Sequence, residues 1–292
     1  MSDSFSPETI GLIGVGLIGT ALIERLQTAG FRVLMWDRDA ARRTGAAALG
    51  AEVAANAAAV AAQCRRVILS LPDSNIVSSV MSEMENALRA KTIVVDTSTG
   101  EPADAVRFSK SLGQRGATYL DATISGSSEQ LRRGEALCMV GGDAEAFARC
   151  ADVWNALGSQ TMHVGASGTG AQLKLVTNLV LGLNRAALAE GLVLAEVMRL
   201  DPALTLRVLQ ASAAYSRIMD TKGPKMIGGD FAPVARLSQH LKDVRLMLQA
   251  AGEGNVALPL SEAHRQILEQ AEAAGWGDLD NSAIIKVLQK SS

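Results

Sequence analysis

The sequence predicts an α/β fold: a doubly wound, mostly parallel sheet, then a long connecting helix and a small all-α domain. Three observations predict it. Short apolar runs alternate with helix-like segments through the first half, the strand signal stops after Gly168, and the segment from about Gly170 to Met198 contains no proline.

Residues 9–15, 32–36, 67–71, 92–96 and 117–122 read as strands, and 17–29, 39–49, 75–87 and 102–112 carry helical spacing between them. Strands separated by helices form βαβ units. Two further strands, 137–140 and 160–164, flank a helix over 144–157. The proline-free segment, read as one helix, is roughly 40 Å long at ~1.5 Å per residue. Asp201-Pro202 then supplies a cap and a first-turn proline, and Leu258-Pro259 and Asp280-Asn-Ser open further helices. The expected division is 1–164 for the sheet domain, 165–199 for the connecting helix and 200–292 for the helical domain.

Composition narrows the function. Of 292 residues, 48% are hydrophobic and 20% charged, which is globular rather than disordered. The net charge is -2 with no block of like charge, so nucleic-acid binding has no electrostatic footprint. Cys64, Cys138 and Cys150 lack metal-type spacing and fit a reduced, cytoplasmic interior. The polar, acidic opening is unlike a signal peptide. Asn184, Arg185, Glu190 and Glu196 interrupt the most apolar stretch, which argues against a membrane span and for a helix covered on more than one face, as in a homodimer or homotetramer.

Gly14, Gly16 and Gly19 have the G-x-G-x-x-G spacing where the first strand passes into a helix. The first glycine permits a tight turn, the second lets backbone approach a pyrophosphate, and the third allows close helix–strand packing. The first domain therefore reads as a Rossmann-type nucleotide domain. Asp37 ends the second strand at about the distance where an acid reaches ribose hydroxyls, which favours NAD over NADP. Arg38, Arg42 and Arg43 follow it and offer a site for a 2′-phosphate instead, or a solvated helix face. Leu71-Pro72-Asp73 and Asp96-Thr-Ser-Thr99-Gly close the next two strands at the carboxyl edge, where this fold binds ligands.

In the middle of the chain, Gly165-Ala-Ser-Gly-Thr-Gly-Ala-Gln-Leu-Lys174-Leu-Val-Thr-Asn178 opens the long helix. Lys174 and Asn178 share one helix face, one turn apart, so a proton donor and an amide point the same way. With the glycine motif, this pair suggests a nicotinamide-dependent dehydrogenase. His163, His240 and His264 have no ligand-like spacing and read as structural or surface residues, so no metal is expected. Tyr215 and Arg217 fall in a loop-like stretch, 213–221, suited to a pocket wall.

Taken together, these motifs resemble the β-hydroxyacid dehydrogenases. Gly14-Val-Gly16-Leu17-Ile18-Gly19 matches that family's cofactor loop, Asp121-Ala-Thr-Ile-Ser125-Gly126-Ser127 its substrate segment, Gly165 to Asn178 its lysine segment, and Lys242-Asp243 its Lys-Asp pair. The resemblance implies that Leu71, Pro72 and Thr99 line the cofactor, NAD or NADP. It also implies that Ser125, Gly126 and Ser127 hold a substrate carboxylate and that Asn178 orients its hydroxyl. Lys174 would transfer the proton, and Lys242 would close over nicotinamide and substrate. Two departures stand out: Thr123 replaces the family's usual proline and Ser127 its second glycine.

Hydride transfer to a carbonyl leaves an alkoxide that needs a proton, and a free lysine titrates near ~10.4, too high for efficient exchange at neutral pH. Burial and a second cation lower that value, effects expected here from the enclosed helix face and Lys242. The expected reaction interconverts a short 3-hydroxy acid and its semialdehyde. Rival readings are a 6-phosphogluconate-type decarboxylating enzyme, which usually needs a larger helical domain, and an imine reductase, which typically replaces the lysine. A non-catalytic nucleotide-sensing or assembly protein on the same fold is a third.

Overall fold

The computed structural model describes residues 8–158 and 160–290. Residues 1–7, most of the polar opening segment, lie outside the described residues. The chain divides into two compact units, Met1–Lys174 and Leu175–Ser292.

The first unit contains β1 (Thr9–Ile13), α1 (Leu17–Thr28), β2 (Arg32–Trp36), α2 (Ala40–Ala48), β3 (Glu52–Val53), α3 (Ala57–Gln63), β4 (Arg66–Leu69), α4 (Ser74–Met84) and β5 (Ile93–Asp96). It continues through α5 (Pro102–Gly113), β6 (Thr118–Ser125), α6 (Ser128–Arg132), β7 (Leu137–Gly141), α7 (Ala144–Ala148), α8 (Ala151–Leu157) and β8 (Gln160–Gly165). The strands form one sheet in the order β3-β2-β1-β4-β5-β6-β7-β8, parallel except for the β6–β7 pair. The order reverses beside β1, which places the switch point between β1 and β4 at the end of the glycine loop.

Both faces of the sheet are covered, which is why its strands read as continuous apolar runs. Ile10, Leu12, Val33, Met35 and Val95 face Leu22, Leu26 and Trp154 on one side. Ile13, Val67, Leu69 and Val94 face Val60, Val77, Met84, Phe108 and Leu112 on the other. Three details differ from the sequence expectation. The pair β3 and α3 was not expected: β3 is two residues long, and α3 is a seven-residue, alanine-rich helix capped by Asn56, so neither carries a clear period. The helix expected over 144–157 is split at Arg149–Cys150. β6 runs on to Ser125, beyond the expected end at 122.

That extension matters for the site. β5 pairs with β6 only as far as Asp96 opposite Asp121, and β6 then continues four residues paired on one edge, by β7. At ~3.3 Å per residue the strand carries Ser125 roughly 13 Å past the end of β5.

α9 (Thr169–Val197) fulfils the long-helix expectation. The sequence division follows the ends of this element, whereas compactness divides the chain inside it, at Lys174. The second unit adds α10 (Pro202–Ala211), α11 (Arg217–Gly228), α12 (Leu237–Glu253), α13 (Pro259–Ala273), a 3₁₀ turn (Asn281–Ile284) and α14 (Ile285–Lys290). Its core is built on Leu188, Leu192, Leu206, Leu237, Leu241 and Leu268. α11 corrects the expected loop over 213–221, because Arg217 already lies in its first turn. Gly223 lies within α11 where a Cβ would come within 2.6 Å of Leu206, so the glycine serves packing against α10. No helix among the described residues is long and apolar enough to cross a membrane.

Candidate active site

The glycine loop is built as its spacing requires. Gly14 has φ +93°, and a Cβ there would lie 2.3 Å from the Ser70 carbonyl oxygen. A Cβ on Gly19 would lie 2.1 Å from the Gly14 oxygen, so α1 packs directly on the turn. Around Gly16 the space is open, with Arg42 Nη1 the nearest atom at 3.9 Å. Leu17 and Ile18 begin α1, which has no side-chain cap at Gly16. By contrast, α2, α3 and α4 are capped by Asp39, Asn56 and Asp73. An uncapped helix start beside an open glycine fits a dinucleotide pyrophosphate.

Asp37 is buried at the end of β2, accepting N–H bonds from Val15 (2.8 Å) and Asp39 (2.9 Å). It therefore ties β2 to the glycine turn. Arg43 donates to the backbone oxygens of Asp37 (2.6 Å) and Arg38 (3.1 Å). Arg38 and Arg42 are exposed beside them and Arg43 is half-buried, while Arg42 also pairs with Asp37 (3.8 Å) and Asp39 (3.6 Å).

Leu71 and Pro72 follow β4, and Thr99 follows β5, at the same edge of the sheet. The two loops are sewn together: Leu71 N–H donates to Ser98 Oγ (2.9 Å) and Glu101 N–H to Ser74 Oγ (2.9 Å). Ser74 falls outside every sequence motif and Ser98 inside the Asp96–Gly100 segment, yet only their placement reveals this bracing. Below them, Asp96 accepts from Tyr119 Oη (2.5 Å) and Ser98 N–H (2.8 Å), and burial pushes its carboxyl up.

Ser125 ends β6 half-buried, Gly126 is exposed with φ +148°, and Ser127 caps α6. Ser127 Oγ accepts from Gln130 N–H (3.2 Å) while Ser127 N–H donates to Gln130 Oε1 (2.8 Å). The substitution at 127 thus has a local cause, a capping box. Lys174, 8% exposed, donates from Nζ to the Ile124 carbonyl at 2.7 Å. The amine is thereby held one residue from Ser125.

Asp121, one of the residues whose role the sequence left unassigned, accepts from Gly168 N–H (2.8 Å) and Ala171 N–H (3.0 Å). Burial raises its carboxyl, partly offset by these bonds. In the second unit, Asn178 donates from Nδ2 to Asp243 Oδ2 (2.8 Å), and Lys242 Nζ lies 3.4 Å from Asp243 Oδ1. Asp243 is buried, so this is more than a surface ion pair. Tyr215 is exposed and bonded to Asp220 (2.5 Å). His163 accompanies the Gly142 carbonyl on β8, and His240 and His264 are buried with ring centroids 5.2 Å apart. No group of metal-ligating residues occurs among the described residues. The three cysteines are buried, which pushes Cys138 up to about 12 and Cys64 and Cys150 to about 11, so none is a thiolate nucleophile.

Residues 9–165 match the family described as the NAD binding domain of 6-phosphogluconate dehydrogenase. Residues 168–288 match that described as the NAD-binding domain of NADP-dependent 3-hydroxyisobutyrate dehydrogenase. The chain belongs to the β-hydroxyacid dehydrogenase family. It is 35% identical to 2-(hydroxymethyl)glutarate dehydrogenase of Eubacterium barkeri, over 96% of this chain and 95% of that one. It is 30% identical to 2-hydroxy-3-oxopropionate reductase of Escherichia coli, over 96% and 97%. Among solved structures, 3-hydroxyisobutyrate dehydrogenase of Mycobacterium tuberculosis with L-serine superposes at a TM-score of 0.88, with 28% identity over 97% of this chain and 100% of that one. An imine reductase from Pseudomonas, 21% identical at a TM-score of 0.64, shares the fold alone. The chain is an NAD(P)-dependent oxidoreductase of hydroxy acids and their semialdehydes.

Proposed function

We propose that the substrate is a short acid whose hydroxyl, or aldehyde, lies on the carbon β to a carboxylate, and that Lys174 is its general acid and base. The observation that supports this most is the Lys174 amine at 2.7 Å from the Ile124 carbonyl, beside Ser125. A carboxylate held by Ser125, Gly126 and Ser127 sets the β carbon about one residue's reach from that amine. The names of the relatives agree, since 2-(hydroxymethyl)glutarate, 2-hydroxy-3-oxopropionate and 3-hydroxyisobutyrate each carry oxygen at that position.

Gly14, Gly16, Leu17, Ile18 and Gly19 would hold the pyrophosphate, Asp37 and Arg38 the adenosine ribose end, and Leu71, Pro72 and Thr99 the nicotinamide side. The bound nicotinamide supplies or takes up the hydride. In oxidation, unprotonated Lys174 accepts the hydroxyl proton, and in reduction its ammonium returns one. Asn178, whose amide nitrogen is fixed by Asp243, orients the substrate oxygen without adding charge. Lys242 contributes to substrate and cofactor binding. NAD is the favoured nucleotide, because the Asp37 carboxylate repels a 2′-phosphate.

Self-association is part of this reading. Val197, Met198, Leu200, Leu204 and Val208 are each more than half exposed in the second unit, an apolar run suited to a homodimer or homotetramer. A reducing cytoplasm suits the buried, free cysteines. The test is initial rate by nicotinamide absorbance over a panel of 3-hydroxy acids, with NAD and NADP separately, on a preparation whose mass is fixed by light scattering. Lys174→Ala is expected to lower kcat by about 10²–10⁴-fold while cofactor binding persists. Undiminished turnover in that variant would remove Lys174 from the chemistry, and a mass equal to one chain would remove the oligomer.

A further inference from the structure

The stretch of β6 beyond Asp121 is paired on one edge only, and the residues there meet the start of α9 instead of another strand. Asp121 accepts N–H bonds from Gly168 and Ala171. Thr123, 1% exposed, donates from Oγ1 to the Gly170 carbonyl at 2.8 Å. The carbonyl of Gly170 is also the one that the α-helical pattern pairs with the N–H of residue 174. The Thr123 hydroxyl and the Lys174 backbone therefore converge on one oxygen. At the far end of the same lysine, Nζ donates to Ile124, the next residue of β6. One strand thus fixes the helix start, the lysine backbone and the lysine amine.

We propose that Thr123 and Asp121 are positioning residues for Lys174, clamping the first turn of α9 to β6 so that the amine is presented at the Ile124 carbonyl. Asp121 fixes the turn through two backbone donors, and Thr123 fixes its register through a single hydroxyl. Valine keeps the β-branched shape of threonine but lacks that hydroxyl, so Thr123→Val removes the bond while retaining the branch. Thr123→Ser keeps the bond and removes the methyl.

This proposal rests on Lys174 as the proton-transfer group, so its test includes a readout independent of turnover. Trace labelling with acetic anhydride, read lysine by lysine by mass spectrometry, reports how firmly the amine is held. The exposed Lys91 and Lys110 serve as internal standards. In Thr123→Val the Lys174 labelling rate should rise about three- to tenfold, the range of one hydrogen bond, with the standards unchanged. With a turned-over hydroxy acid, kcat should fall by a similar factor while the cofactor Kd stays within about twofold. Thr123→Ser should restore both. Unchanged labelling and kcat in Thr123→Val would overturn the proposal, and so would a serine variant as impaired as the valine one. If labelling follows the expected pattern but no hydroxy acid turns over, the clamp stands and the assigned reaction fails.

Discussion

Gly170→Ala is the sharpest test of how the lysine is placed. A Cβ at 170 would lie 2.4 Å from the Asp121 carbonyl oxygen, 2.7 Å from the Met139 oxygen and 2.9 Å from Asp121 Oδ2. Ordinary contact begins near 3.4 Å, so the first turn of α9 must retreat by about 1 Å, because two of the three obstacles are backbone in the β6–β7 ladder. Lys174 stands one turn further along and is carried with it. An Nζ to Ile124 oxygen distance of 2.7 Å then lengthens beyond good hydrogen-bond range. A displacement of that size costs on the order of 10²-fold in rate. Overpacking adds a stability loss of about 1–3 kcal/mol. Gly191→Ala is the control on the same helix, since a Cβ there meets nothing within 4 Å. It should leave kcat unchanged and raise stability by up to ~1 kcal/mol through helix propensity. The assay is steady-state kcat and KM for the hydroxy acid, beside cofactor Kd by calorimetry and thermal unfolding. A Gly170→Ala enzyme with kcat within twofold of wild type would refute the reasoning, as would an equal loss in Gly191→Ala.

Two further predictions concern the buried charges of the helical unit. Burial would raise the Asp280 carboxyl, but Lys222, at 2.8 and 2.9 Å from its two oxygens, and the bonds from Ser282 override it and hold it down at about 2 from 3.8. Its stabilising contribution, on the order of 2 kcal/mol, is present above about pH 4 and is lost as pH falls through 2; urea denaturation should show that loss in wild type and not in Asp280→Asn, which starts about 3–5 kcal/mol less stable. Burial, reinforced by the Arg185 charge, pushes His264 from 6.5 to about 4. The unfolded chain therefore takes up that proton first, so stability is full above about pH 6.5 and falls by on the order of 3 kcal/mol as pH drops to 4. His264→Gln should flatten the slope in that window, and an unchanged slope would show that the imidazole is not held neutral.

Much of this was legible in the sequence because it depends on local pattern. The glycine loop, the long helix and Lys174 with Asn178 are all set by spacing along one element. What escaped sequence reading depends on pairing between elements. Ser74 and Ser98 look like loop serines until the β4 and β5 loops lie side by side. α11 begins at Arg217, inside the stretch that reads as a loop, and the packing of its Gly223 against Leu206 is visible only in three dimensions. Thr123 and Ser127 were visible as departures from the family pattern, but their meaning was not. Ser127 proves to be half of a capping box, and Thr123 a donor to the backbone of α9.

The two departures sit on either side of Ser125, and both exchange a backbone-restricting or permissive residue for a hydroxyl that bonds to main chain. At 123 the hydroxyl fixes the helix that carries the amine. At 127 it fixes the start of α6, and with it the conformation of the Ser125–Ser127 turn. Neither change alters the charge of the site. They bear on how rigidly the Ser125–Ser127 turn, proposed above to hold a carboxylate, and the lysine are held to the same strand. If β6 sets the distance between them, the acids this enzyme accepts are selected by the spacing between carboxylate and hydroxyl more than by the bulk of the substituent between them. A panel in which 2-hydroxy acids fail while variously substituted 3-hydroxy acids react is the pattern this strand-borne geometry requires.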